Sequence, residues 1–109
     1  MERLIKMTGL LDPIPPGEIL LEEYLRPLNV SQNQLSRDLD IPVSRVSQII
    51  NGKRGITADT ALRLATYFGT SPELWLNLQN DYDLRLVRRT TWPQVEKRIR
   101  PNRQVEPLS

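Results

Sequence analysis

Residues 42–54, PVSRVSQIINGKR, hold aliphatic side chains at one spacing and hydrogen-bonding side chains at another. Val46, Ile49 and Ile50 recur at three- and four-residue steps, so a helix here turns them to one side. Ser44, Arg45, Ser47 and Gln48 are left on the other side, with Val43 at the N-terminal tip. Base-edge recognition is the chemistry this set supplies: an Arg fork matches the two acceptors of guanine, a Gln amide matches adenine, and a Val methyl meets the thymine methyl. Val43 also lies three residues before Val46, and a place in the buried stripe is an equal reading of it. A lone surface Arg is more often a solvated charge, but the position of Arg45 near the helix start favours a base or phosphate contact. Asn51-Gly52 reads first as a helix end, with Gly supplying the left-handed residue.

Catalysis is poorly supplied. The chain has no Cys and no His, which removes disulfides, thiolate nucleophiles, imidazole bases and the usual zinc ligand sets. Acid–base work would fall to carboxylates such as Glu22, Glu23, Asp81 and Asp83. Glu22 and Glu23 are sequence neighbours and diverge on a helix, and Asp81 and Asp83 flank Tyr82 as solvated residues. We therefore expect no enzyme, no cofactor and no metal.

At 109 residues the chain fits one small domain. No apolar run reaches the roughly 18 residues of a membrane span, and the start MERLIKMTGLLDP lacks the features of a secretory signal, so a cytoplasmic protein is expected. Charge is uneven: residues 1–84 hold 8 Lys+Arg and 11 Asp+Glu, a net of −3, whereas residues 85–109 hold 7 and 2, a net of +5. A basic end of this kind is a solvated terminus or an arm for an acidic surface.

The elements that must position residues 42–54 are all helical. Prolines 13, 15 and 16 precede a first helix over about 16–27, with Leu21, Tyr24, Leu25 and Leu28 at helical spacing and Glu18, Glu22 and Glu23 towards its N-terminal half. Ser31 is the expected N-cap of a second helix reaching about Leu39. The third starts near Pro42. Thr57 and Gly69 bracket a fourth, in which Ala61, Leu64, Ala65 and Phe68 form one buried face. Ser71-Pro72 opens a fifth that carries Leu74, Trp75, Leu78, Tyr82 and Leu86 and reaches Arg88 or Arg89. Beyond it, three prolines and no sustained period predict a mostly extended or disordered tail over 90–109.

A tight DIP connection between the second and third helices, with a short polar helix after it, is the pattern of a helix-turn-helix. In that motif the first helix crosses the DNA backbone and the second enters the major groove. The fold expected is all-α, five helices with a basic C-terminal extension. The domain is expected to span 16–89, after an N-terminal segment 1–15.

Over residues 17–84 the chain resembles the XRE/Cro-type, lambda-repressor-like helix-turn-helix domain of phage repressors. Three blocks, PGEILLEEYL, INGKRGITADTALRLA and FGTSPELWLNLQNDYDL, are similar in order and spacing to HigA-family antitoxins of bacterial addiction modules. The resemblance implies a homodimer that represses its own operon at a palindromic operator and neutralises a HigB-type toxin, a RelE-like ribonuclease that cleaves mRNA. It also implies phosphate contacts from Gln32, Asn51, Lys53 and Arg54, and base approach by Ser44, Arg45 and Gln48. A stand-alone XRE-family regulator without a toxin partner is the alternative.

Trp75, Leu78 and Tyr82 are the expected dimer-interface residues, since aromatics suit surfaces with one buried and one polar end. For Leu78 a plain core role is the stronger reading. The segment RRTTWPQVEKRIR interleaves Trp92, Val95 and Ile99 with charge, as a segment that folds on a partner does. Toxin or DNA contact is expected of it, while toxin contact at the N-terminal LLDPIPPGE rests on the resemblance alone.

Overall fold

The computed structural model describes residues 12–102, and its regular structure there is entirely helical. The segment expected at 1–15 is therefore seen only from Asp12, and the tail expected at 90–109 only to Asn102. The rest of both lies outside the described residues.

Helix α1 runs over 16–28 as three continuous stretches: an α-helical start Pro16–Ile19, a π-helical turn Leu20–Leu25 and an α-helical end Arg26–Leu28. Pro27 accounts for the wide turn. It has no N–H for the Glu23 carbonyl and its ring crowds that oxygen, so the helix widens and the Arg26 N–H donates to the Leu21 carbonyl instead. Asn29, with φ 57°, closes the helix in the left-handed conformation.

The remaining helices begin and end on local chemistry. Helix α2 (Gln32–Leu39) starts where the Ser31 hydroxyl accepts from the Gln34 N–H at 3.0 Å. Helix α4 (Ala58–Phe68) is capped by Thr57, and α5 (Pro72–Arg89) by Ser71, whose hydroxyl accepts from the Leu74 N–H at 3.1 Å. Gly69 at φ 73° ends α4, where a Cβ would be strained. Between α2 and α3 (Val43–Ile50) lies the tight turn, with Asp40 left-handed at φ 58° and Pro42 extended just before the helix. The Ile41 N–H returns to the Ser36 carbonyl at 3.1 Å, and the Ser36 hydroxyl donates to the Ile41 carbonyl at 2.7 Å.

A single core joins all five helices: Leu20 and Leu25 from α1, Leu35 and Leu39 from α2, Val46 and Ile49 from α3, Ala61, Leu64 and Ala65 from α4, and Trp75 from α5. Each fully buried aliphatic contributes about 1.5–3 kcal/mol through loss of water contact. Trp75 is 0 % exposed, with its ring centroid 4.9 Å from Tyr24 and 6.2 Å from Phe68, and its indole N–H donates to Thr70 Oγ1 at 2.8 Å. That corrects its assignment to a dimer interface: the side chain is spent inside its own chain.

The segment after α5 also departs from expectation. A sixth helix, α6 (Trp92–Glu96), stands within the segment expected to be mostly extended or disordered, and Pro93 is accommodated at a first-turn position that needs no N–H partner.

Candidate nucleic-acid interface

Helix α3 divides as its spacing predicts. Val46 and Ile49 are 1 % and 3 % exposed, Ile50 packs partly against them, and Ser44 and Gln48 face solvent. Val43 is 43 % exposed, so of its two readings the buried stripe is excluded. Ser47 is half-buried and accepts from the Asn51 side-chain amide at 3.4 Å.

The end of α3 is set by backbone closure. Gly52 is left-handed at φ 75°, its N–H donates to the Ile49 carbonyl at 3.1 Å, and the Lys53 N–H donates to the Gln48 carbonyl at 2.8 Å. The closure turns Asn51, Lys53 and Arg54 out to solvent beside the helix end. Arg54 Nε donates to Gln48 Oε1 at 3.0 Å, which occupies the amide oxygen and leaves the Gln48 NH2 as the end outside that contact. Gln32 is the first residue of α2, next to the unpaired backbone donors of a helix N-terminus.

Arg45 is half-buried and belongs to a chain of charges that sequence spacing does not disclose. Its guanidinium donates to Asp59 Oδ2 at 3.1 Å, and Arg63 Nε donates to the same oxygen at 3.0 Å. These contacts, the Arg63 hydrogen bond first, hold the Asp59 carboxyl below its ordinary value against a smaller opposing effect of desolvation. Arg63 also donates to the carbonyls of Leu39 at 2.7 Å and Asp40 at 3.1 Å, where the C-terminal end of α2 favours a cation. Asp59, which contacts Arg45, and Arg63, which contacts Asp59, are absent from the expected site. Their only sequence signal is an i, i+4 acid–base pair on α4.

Gln79 is a third. Its Oε1 accepts from the Ile56 N–H at 2.8 Å while its NH2 donates to Asp83 at 3.0 Å, tying the loop that carries Lys53 and Arg54 to α5. Tyr82 lines a cleft of about 220 Å³ between that loop and α5, and Leu78 is half-buried against the core. Leu84 and Val87, on the same helix, are 54 % and 45 % exposed.

Among the described residues, no helix is long and apolar enough to cross a membrane. The helix-turn-helix family model (HTH_3) matches residues 21–75, from α1 into α5. An addiction module antidote protein of the HigA family from Coxiella burnetii superposes with a TM-score of 0.78 at 51 % identity, over 84 % of this chain and 100 % of that one. The Pseudomonas aeruginosa antitoxin HigA, solved with the higBA promoter, has a TM-score of 0.78 at 42 % identity, over 82 % and 97 %. An uncharacterized HTH-type transcriptional regulator of Escherichia coli K12, YbaQ, is 43 % identical over 84 residues, covering 77 % of this chain and 74 % of that protein. With the divided α3, the tight turn before it and these likenesses in view, the chain belongs to the helix-turn-helix family and, within it, to the HigA-type antitoxins.

Proposed function

We propose that this chain is the antitoxin of a type II module: a homodimer that represses its own operon and also binds and neutralises a HigB/RelE-like, mRNA-cleaving toxin. The observation that carries the DNA-binding half is α3 itself, anchored by Val46 and Ile49 and presenting Val43, Ser44 and Gln48 outward with Arg45 half-buried beside them. Those residues, with Ser47, are assigned to base edges. Gln32, Asn51, Lys53 and Arg54 are assigned to phosphates, where a helix start and a basic loop supply donors without sequence preference.

A two-fold dimer sets two copies of α3 about 34 Å apart, one DNA turn, and so reads a palindrome. Tyr82 and Leu78 remain the proposed interface residues of α5. The toxin-binding half is supported by the likeness to the Coxiella and Pseudomonas proteins, whose descriptions are those of an antidote protein and an antitoxin. The basic segment RRTTWPQVEKRIR, residues 88–100, is assigned to toxin or DNA contact.

A stand-alone transcription regulator is the second reading, favoured by the 43 % identity to YbaQ. Co-expression with the product of the adjacent small gene, followed by size-exclusion chromatography with light scattering, separates the two. A stable complex of both chains supports the antitoxin, and a homodimer that leaves the co-expressed product behind supports the plain regulator. A monomer at micromolar concentration that binds one full operator at 1:1 removes the dimer.

A further inference from the structure

Arg45 is the residue of α3 with the chemistry to read guanine, yet a flexible Arg side chain must be held before its fork can select one base. The structure contains the holder. Asp59 stands in the first turn of α4 and accepts from Arg45 and Arg63 on one carboxylate oxygen, at 3.1 and 3.0 Å. Arg63 is fixed in turn by the Leu39 and Asp40 carbonyls, so the series runs from the end of α2 through Arg63 and Asp59 to Arg45.

We infer that Asp59 is a specificity-determining positioning residue: anchored through Arg63, it orients the Arg45 guanidinium at the DNA surface and places a carboxylate beside it that opposes indiscriminate phosphate contact. The inference rests on the reading of α3 as the base-reading helix. Two features support it. Arg45 is only 28 % exposed at its side chain, so its path is confined, and its partner comes from another helix rather than from its own. A lone surface ion pair holds little, but here one carboxylate oxygen is shared by two guanidinium groups and the second of them is fixed on backbone carbonyls. The carboxylate also has a sign effect, since an anion at the rim of a DNA-binding surface weakens sequence-independent attraction and leaves a correctly docked Arg able to bind its base.

The test uses the full chain and a randomised duplex library about two helical turns long, roughly 20 bp, from which bound sequences are selected and counted. Asp59→Asn, Arg45→Ala and the double variant are compared with the unaltered protein, each checked by thermal melting. Asp81→Asn serves as an equal charge change on α5, where Asp81 pairs with Arg85. Asp59→Asn is expected to lower the preference at one base position per half-site by about 10-fold, within the range of one bidentate contact, while binding to unselected DNA holds or tightens. In the Arg45→Ala background the same change is expected to leave the remaining preference unaltered.

A loss of equal size in both backgrounds, a loss spread evenly over all positions, or no loss overturns the role of Asp59, as does an equal effect from Asp81→Asn. If Arg45→Ala itself weakens selected and unselected DNA alike, the reading of α3 as base reader fails first, and that result is recognisable without reference to Asp59.

Discussion

Gly17 and Ile49 are in backbone contact: a Cβ built on Gly17 lies within 1.8 Å of the Ile49 carbonyl oxygen and 2.6 Å of its carbon. The start of α1 therefore rests directly on the last turn of α3, closer than any side chain permits. Gly17→Ala is expected to cost about 1–3 kcal/mol or more, because the obstacle is backbone rather than a movable side chain. Urea denaturation checks it, and an unchanged midpoint would show that α1 and α3 separate freely.

Truncating Trp75 tests the core assignment. Trp75→Ala is expected to cost about 3–5 kcal/mol from a cavity beside Tyr24 and Phe68. A dimer-interface role predicts instead a loss of dimer with a monomer of normal stability, so light scattering and denaturation on one sample decide between them.

On DNA, the two classes of contact separate by salt. Lys53→Ala is expected to weaken all sequences alike and to reduce the slope of log K against log salt by about 1. Arg45→Ala is expected to cost about 1–3 kcal/mol, mainly on the selected sequence. A titration series on selected and random duplexes measures both.

Gln79 offers a prediction about the loop rather than the helix. Gln79→Ala removes the acceptor of the part-buried Ile56 N–H and is expected to cost about 1–3 kcal/mol. Faster hydrogen exchange at the Ile56 amide is the direct readout, and protection at the native level would mean that this hydrogen bond does not hold the loop.

Stability should bend at both ends of the pH range, with opposite signs. The Tyr67 hydroxyl donates to Asp38 at 2.9 Å, and this hydrogen bond is the largest cause of a pKa above the ordinary 10.0. Its contribution is complete below pH 10 and is lost as pH rises through the raised folded value. Asp59 sits below the ordinary 3.8, so its contribution is present above that pH and fades as pH falls through the lowered folded value. Tyr67→Phe should flatten the alkaline limb of a melting-temperature profile and Asp59→Asn the acid limb.

What was legible in the sequence is what short-range chemistry decides. Ser31, Thr57 and Ser71 cap the helices they precede, Gly52 and Gly69 take the left-handed conformation, and Val46 and Ile49 point inward. The π turn was hidden because Pro27 reads equally well as the end of a helix. Trp75 was misplaced because periodicity identifies a buried face without saying what covers it, and here α1 and α4 supply Tyr24 and Phe68. Asp59 reaches Arg45 across 14 positions, a side-chain pairing that local sequence spacing does not disclose.

The Arg63 clasp on the interhelical turn bears on how the molecule assembles. Its carbonyl partners lie 24 and 23 positions earlier, so this tie on the turn between α2 and α3 forms only when α4 is docked. Closing a loop of that length carries an entropy cost that local helix formation does not. An excised peptide ending at Arg54 would keep the Ser36–Ile41 hydrogen bonds of the turn but lose the Arg63 clasp. The turn before α3 is therefore held in part from outside the two helices it joins.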